Sequence, residues 1–329
     1  MKIITRSEKK RKTSCDKISY VHVYITQLCN LRCRHCYTYS NKQKGTGLTA
    51  SEWIIVFKQL SSMNVRTVHI EGGEPLLFPD IEKIVSYISS SKIGHFWLVT
   101  NGILASKEYL IKLNGAGLKR VAVSLDSIDE NIHNHLRPHS FRHALKAVNT
   151  AIKLGFSIRV SCVVTKINIG GIKKFIFDLY DMGVKSINID WLYDFGRAKN
   201  LFDKHVVSKK DDHLLNKFEE DLNTVVNNSR YKDFNLTVNL PDWYIKRNSF
   251  LVNDYRRTHY LSCDALKNQI AINQYGDVYP CFIFQEEGNR VGNCKKESLK
   301  RIIEILDPKF KIQCPISAKG HIFYAKTAE

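Results

Sequence analysis

The stretch Val21-His22-Val23-Tyr24-Ile25-Thr26-Gln27-Leu28-Cys29-Asn30-Leu31-Arg32-Cys33-Arg34-His35-Cys36-Tyr37 joins an apolar, β-branched run to a cysteine-bearing loop. The run predicts a strand over 21–26. The loop carries Cys29, Cys33 and Cys36 in a CxxxCxxC spacing, with the aromatic Tyr37 directly after the last. Three thiolates on one short loop can hold three corners of a cubane iron–sulfur cluster, which is normally held by four. The remaining iron is then left for a ligand that is not the protein, and an open metal position in a catalytic site is where substrate or cofactor binds. A zinc site is the competing reading. Zinc loops usually pair CxxC with a second CxxC or a histidine pair, and no such second pair stands in this sequence.

Outward from that loop, short β-branched runs alternate with helical patterns, which predicts a parallel sheet with crossover helices, an α/β fold. Further strands are expected over 67–71, 96–100, 120–125, 157–164 and 186–191. Thr49-Ala50-Ser51-Glu52 reads as a capping box opening a helix to about residue 62. Asp80 is expected to cap a helix over 81–90 and Ser140 one over 141–154, with Gly155 at a left-handed stop. Gly170 and Gly171 precede a helix over 172–182, and Gly183 follows it. These make about six βα units, fewer than the eight of a closed barrel. In parallel α/β folds the site lies at the C-terminal ends of the strands, where the cysteine loop falls. Beyond Leu192 the pattern loosens, with one amphipathic helix over 208–228, a hairpin over 269–273 and 277–282, and a helix over 297–306.

The cysteine loop resembles the signature of the radical S-adenosylmethionine family. The resemblance implies a partial (β/α)6 TIM-like barrel and a 4Fe–4S cluster on Cys29, Cys33 and Cys36. Its open iron would chelate the amino and carboxylate groups of S-adenosylmethionine. One electron would then cleave the sulfonium to leave a 5′-deoxyadenosyl radical. Tyr37 is expected beside the cofactor. Gly72-Gly73-Glu74-Pro75 resembles the family's GGEP motif, which implies contact with the methionine amino group. Asn101 after the third strand, and Ser124 and Asp126 after the fourth, look like family positions that reach the ribose or the amino acid moiety. Arg137 resembles the arginine that pairs with the cofactor's carboxylate, a task suited to a planar guanidinium. The sequence departs from the family just behind it, with Pro138-His139-Ser140 where Gly or Ser is usual. Asn168 matches a recurrent family asparagine. His22 and His35 are expected to be structural or exposed, and no residue is assigned as catalytic acid or base.

Cys263, Cys281, Cys294 and Cys314 follow the barrel. With Gly276-Asp277-Val278-Tyr279-Pro280-Cys281 they resemble the SPASM extension, or its shorter twitch variant, which implies a second, auxiliary 4Fe–4S cluster. Ser317 stands where a CxxC partner of Cys314 would be, so there is material for one auxiliary cluster. Cys263, Cys281 and Cys314 are its expected ligands. Cys294 is either the fourth or a small buried hydrophobe that leaves the site open. Cys162 reads as a core residue and Cys15 as a free thiol.

The chain of 329 residues carries 50 basic and 32 acidic residues, and a net charge of +18 draws anionic partners. No apolar run reaches the ~20 residues needed to span a bilayer. The basic N-terminus lacks the apolar core of a secretory signal, so nine cysteines suggest a reducing, cytoplasmic setting and metal ligation rather than disulfides. The expected organisation is a basic tail (1–17), the barrel (18–200), a connecting helical region (201–260) and the auxiliary-cluster region (261–329). The first functional reading is maturation of a ribosomally made peptide by crosslinking, thioether formation or epimerisation, with a flavodoxin- or ferredoxin-type electron donor. The second is a small-molecule dehydrogenase or biosynthetic enzyme. The third is a nucleic-acid-binding protein with structural clusters. Against the last, no aromatic residue interleaves the basic run Lys9-Lys10-Arg11-Lys12.

Overall fold

The structure, a computed structural model, describes residues 18–41, 45–231, 233–239, 268–283, 285, 287–304, 311–313 and 322–324. Six strands follow the expected order: β1 (Tyr20–Thr26), β2 (Thr67–Gly72), β3 (His95–Thr100), β4 (Arg120–Ser124), β5 (Ser157–Val164) and β6 (Ser186–Trp191). Each pairs in parallel with the next. Helices α1 (Ala50–Ser62), α2 (Ile81–Ser89), α3 (Lys107–Gly115), α4 (Glu130–Leu136), α5 (Phe141–Lys153) and α6 (Ile172–Asp181) lie in the crossovers. This is the α/β partial barrel that the sequence predicts.

The sheet extends past the six expected strands at both ends. β7 (Asn235–Asn239) adds in parallel to β6, so the sheet runs across the boundary expected near residue 200. At the other end the hairpin strands β8 (Gln269–Ile272) and β9 (Asp277–Tyr279) join the same sheet. β8 pairs in parallel with β1, while β9 and the short β10 (Gly292–Asn293) run antiparallel. The order is β10-β9-β8-β1-β2-β3-β4-β5-β6-β7, which stays open. The hairpin is therefore wedded to the strand that carries the cysteine loop. α7 (Phe202–His205) and α8 (Asp212–Asn227) follow β6, and α9 (Leu299–Glu304) follows β10. A separate pair, β11 (Lys311–Gln313) and β12 (Ile322–Tyr324), is antiparallel. Among the described residues no helix is long and apolar enough to cross a membrane.

Strand alternation divides the molecule into a dry layer and a polar lumen. Val21, Val23 and Ile25 of β1 and Val68 and Ile70 of β2 join Trp53, Phe57 and Leu60 of α1 in one apolar core. The intervening Tyr20, His22, Tyr24, His69 and Glu71 face the other way, into the lumen. On α8 the apolar stripe Leu215, Phe218, Leu222 and Val225 is buried, and Asp221 on the same face is neutralised by Lys217 at 2.6 Å and Lys173 at 3.3 Å.

The Thr49 capping box forms as expected, with Glu52 N–H donating to Thr49 Oγ1 at 3.3 Å and Thr49 N–H to Glu52 Oε2 at 2.8 Å. Gly155 takes a left-handed φ of +75°. Two expected caps fail. Asp80 is itself left-handed (φ 60°), makes no cap bond and pairs with Lys83 at 3.0 Å. Ser140 makes no cap bond either, because its hydroxyl donates back to the Arg137 carbonyl at 2.8 Å.

Candidate active site

The cysteine loop leaves β1 at the C-terminal edge of the sheet and is held from three sides. Asn41 closes it, accepting from Cys29 N–H at 2.8 Å and donating to the Cys29 carbonyl at 2.8 Å. From beyond β6, Arg197 donates to the Cys33 carbonyl at 2.9 Å, the Ser40 carbonyl at 2.9 Å and Ser40 Oγ at 3.0 Å. Sequence reading missed Arg197. One arginine among 50 basic residues carries no signal until the fold brings residue 197 to residue 33.

The third side is Gly72-Gly73. Gly73 N–H donates to the Thr26 carbonyl and Glu74 N–H to the Leu28 carbonyl, both at 2.7 Å. A Cβ on Gly72 would stand 2.2 Å from Thr26 O, and one on Gly73 would stand 2.1 Å from Leu28 O. The two glycines are thus required by the backbone of the cysteine loop itself.

The sulfurs sit among donors and cations. Leu31 N–H reaches Cys29 Sγ at 3.4 Å, and Asn101 Nδ2 lies 3.9 Å from it. Arg137 Nη1 lies 3.9 Å from Cys33 Sγ. Thr38 and Ser40 hydroxyls approach Cys36 Sγ at 3.4 and 3.5 Å. Burial pushes the Cys33 thiol up to about 11, against the pull of the Arg137 charge, and burial also raises Cys29. At Cys36 burial is outweighed by the two hydroxyls and Arg197, which hold the thiol below its ordinary value. The thiols are close enough to feel one another's charge. A soft thiolate set with such donors fits an iron–sulfur cluster, whose iron would deprotonate the thiols outright.

Two expected cofactor contacts, Glu74 and Asp126, are buried and engaged by the protein itself. Glu74 is fully enclosed and accepts from Thr100 Oγ1 and Asn101 N–H, both at 2.8 Å, and from Leu76 N–H at 3.2 Å. Burial outweighs these bonds and pushes its carboxyl up to about 7. Its side chain ties the end of β2 to the end of β3. Asp126 is likewise buried. It accepts from Arg137 Nε at 2.7 Å and from Val163 N–H at 2.9 Å, and lies 3.4 Å from His35 Nε2 without hydrogen-bond geometry. Burial opposes its charge, but Arg137 and the two histidines hold it down to about 2. Asp126 is the anchor of Arg137. His133 accepts from Asp126 N–H at 3.2 Å and pairs with Ser140 Oγ at 2.9 Å, so the unusual Pro138-His139-Ser140 still closes the loop behind Arg137. Asn168 is buried too, donating to the Asp126 and Val163 carbonyls at 2.9 and 2.8 Å.

The remaining expected positions keep access. Gly72, Gly73, Ser124, Arg137 and Tyr37 are half-buried around the loop. Asn101 donates to Asn30 Oδ1 at 2.8 Å, inside the cysteine loop. Tyr37 reaches the lumen, where its hydroxyl meets Tyr24 at 2.9 Å and donates to Glu71 Oε2 at 3.2 Å. His35 is buried and kept neutral, its pKa pushed by burial to about 4.

Cys281 and Cys294 are both buried in the hairpin region, and Cys263, Cys314 and Cys15 lie outside the described residues. Cys281 accepts from Gln269 Nε2 at 3.5 Å and borders Tyr24, which packs with Tyr279, Tyr37 and Phe282. Cys294 differs. It belongs to the main apolar core with Leu299 and Ile302, and burial pushes its thiol up to about 12. That setting favours the second of its two expected readings, a small core hydrophobe. Cys162 is a core residue as expected.

Comparison with known proteins agrees with this geometry. Residues 23–179 match the model of the radical SAM superfamily, and residues 263–311 match that of an iron–sulfur cluster-binding domain, SPASM. The chain is 28% identical over 281 residues to the antilisterial bacteriocin subtilosin biosynthesis protein AlbA of Bacillus subtilis, covering 84% of this chain and 58% of AlbA. It is 31% identical over 232 residues to a probable GTP 3′,8-cyclase of Sulfolobus acidocaldarius, covering 68% of this chain and 72% of that protein. Among solved structures, Streptococcus suis SuiB bound to its precursor peptide SuiA superposes with a TM-score of 0.71 at 20% identity, covering 88% of this chain and 65% of SuiB. The chain thus spans less than two thirds of AlbA and of SuiB.

Proposed function

Because this chain belongs to the radical SAM superfamily, we propose that it is a peptide-modifying enzyme that acts on a ribosomally made precursor, forming a crosslink or thioether or epimerising a residue. The observation that carries the enzymatic part is the three-thiol loop locked by Gly72-Gly73 and flanked by Arg137 and Arg197. Likeness to a bacteriocin biosynthesis protein and to a structure holding a precursor peptide supports the substrate class, as does a net charge of +18 suited to an acidic leader.

Cys29, Cys33 and Cys36 would hold the first cluster. The Gly72-Gly73 backbone, Asn101, Ser124, Tyr37 and Arg137 would hold S-adenosylmethionine. When bound, this pair supplies a 5′-deoxyadenosyl radical that removes hydrogen from an unreactive carbon. Asp126 keeps Arg137 charged and aimed. Cys263, Cys281 and Cys314 would hold the auxiliary cluster. The reading includes a cytoplasmic setting and a flavodoxin- or ferredoxin-type donor.

The test is anaerobic reconstitution with reductant, S-adenosylmethionine and any short precursor peptide that a neighbouring gene encodes, followed by mass spectrometry. A peptide lighter by two hydrogens for a new bond, or one with deuterium taken from solvent at one α-carbon, is expected. A small-molecule reading draws on the likeness to the Sulfolobus cyclase. Turnover of GTP with no change in any peptide would favour it.

A further inference from the structure

We propose that His22, His69 and Glu71 form a mononuclear site for a first-row divalent transition metal in the wall of the lumen. The site uses no cysteine and does not depend on the peptide reading, and it is touched by Tyr37 and Phe282, which directly follow Cys36 and Cys281. β1 and β2 pair in parallel with His22 directly beside His69, and Glu71 stands two residues further on the same face. Both imidazoles turn Nδ1 toward one carboxylate oxygen. Glu71 Oε1 lies 2.9 Å from His22 Nδ1 and 3.3 Å from His69 Nδ1. The three ligand atoms fall within 4.8 Å of one another. Two imidazole nitrogens and a carboxylate oxygen on one side of an ion is the donor set of iron(II), manganese, cobalt and zinc sites with open positions.

Atoms pointing away from the shared centre are also held. The Tyr20 hydroxyl is hydrogen-bonded to His69 Nε2 and also lies 3.4 Å from Nδ1, and Glu71 Oε2 accepts from Tyr37 at 3.2 Å. Metal-binding histidines and carboxylates are oriented by such outer partners. The Phe282 ring lies 4.8 Å from that of His22, and the two imidazoles meet edge to face at 5.3 Å. The side chains of His22, His69 and Glu71 retain 10%, 12% and 13% exposure, so the group is sheltered yet reachable from the lumen.

The alternative is a hydrogen-bonded triad in which both imidazoles donate Nδ1–H to Glu71. Cobalt(II) separates the two. The full-length, cluster-loaded protein is titrated anaerobically with Co²⁺ alone, desalted, and its cobalt and iron counted together by mass spectrometry. About one cobalt per chain above unchanged cluster iron is expected, with ligand-field bands and no thiolate-to-cobalt charge-transfer band. His69→Asn keeps a nitrogen near the Nδ1 position for the hydrogen bond but makes a poor ligand. It and Glu71→Gln are each expected to weaken cobalt binding by at least about tenfold. Circular dichroism and cluster iron verify that each variant is folded. Failure of the folded wild type to retain cobalt, cobalt held with a thiolate band, or equal retention in both variants would overturn the site.

Discussion

Arg137 donates to Asp126 across 2.7 Å, with the carboxylate fully enclosed and the guanidinium 13% exposed. The acid is spent on the protein, while the base keeps one edge toward Cys33, 3.9 Å from its sulfur. Arg137→Lys would supply one ammonium for two tasks, the Asp126 pair and a ligand carboxylate. Binding of S-adenosylmethionine to Arg137→Lys, measured calorimetrically on the cluster-loaded protein, is expected to weaken by at least tenfold, about 1.4 kcal/mol. Asp126→Asn strands the cation instead, and breaking a buried pair costs about 3–5 kcal/mol in urea unfolding.

Glu74 yields a pH signature. Its carboxyl is raised by burial from 4.5 to about 7, so the folded state holds this proton more tightly than the unfolded chain. The stabilisation is complete below the unfolded pKa and is lost as pH rises through about 7. Glu74→Gln cannot titrate. The stability of wild type minus that of Glu74→Gln is therefore expected to fall with rising pH, by up to about 1.4 kcal/mol per unit, between the two pKa values. Urea unfolding at a series of pH values measures it, and a flat difference would mean that the hydrogen bonds from Thr100, Leu76 and Asn101 keep Glu74 ionised throughout.

Gly73→Ala places a methyl group 2.1 Å from a backbone oxygen of Leu28, where no side chain can swing aside. Overpacking of this kind costs about 1–3 kcal/mol or more. Because the clash falls between the GGEP turn and the cysteine loop, iron retention after desalting is expected to drop in parallel with the unfolding midpoint. Gly170→Ala, with no atom within 4 Å of its new Cβ, is the control that keeps both.

Arg197→Lys removes a planar contact to Cys33 O, Ser40 O and Ser40 Oγ. A single ammonium replaces only part of it, and each charge-assisted bond lost is worth about 1.5–3 kcal/mol. The expected result is faster bleaching of the cluster's visible absorbance in air, with secondary structure intact by circular dichroism.

These residues also mark where sequence reading stops. The cysteine loop, the glycine pair and six βα units were legible because each is local: a spacing, a motif or a period along a few residues. β7 was hidden by the short polar alternation Asn235-Leu236-Thr237-Val238-Asn239, which lacks the apolar run of a doubly buried strand. The hairpin was readable, but its parallel union with β1 was not, since register between strands some 250 residues apart is a tertiary fact. Glu74 and Asp126 were assigned to the cofactor by motif alone, and which way a side chain turns at a strand end depends on neighbours that the motif does not contain. His22 and His69 illustrate the same limit. Each sits at a lumen-facing position of its own strand, and only the pairing of β1 with β2 sets them side by side.

The two described cysteines of the hairpin region sit in different surroundings. Cys281 borders the lumen-side cluster of Tyr24, Tyr37 and Phe282, whereas Cys294 lies in the apolar layer with Leu299 and Ile302, its thiol pushed up to about 12. A thiolate in that layer would be a buried, unpaired charge, which a core does not tolerate. Cys294→Ala is therefore expected to keep the full complement of roughly eight irons and lose about 1 kcal/mol for the deleted sulfur. Cys281→Ala is expected to fall toward roughly four irons while the first cluster persists. Iron and sulfide analysis of the two reconstituted variants decides the matter. Loss of four irons from Cys294→Ala would reinstate it as a ligand and would require the sheet around β10 to open when the cluster is inserted.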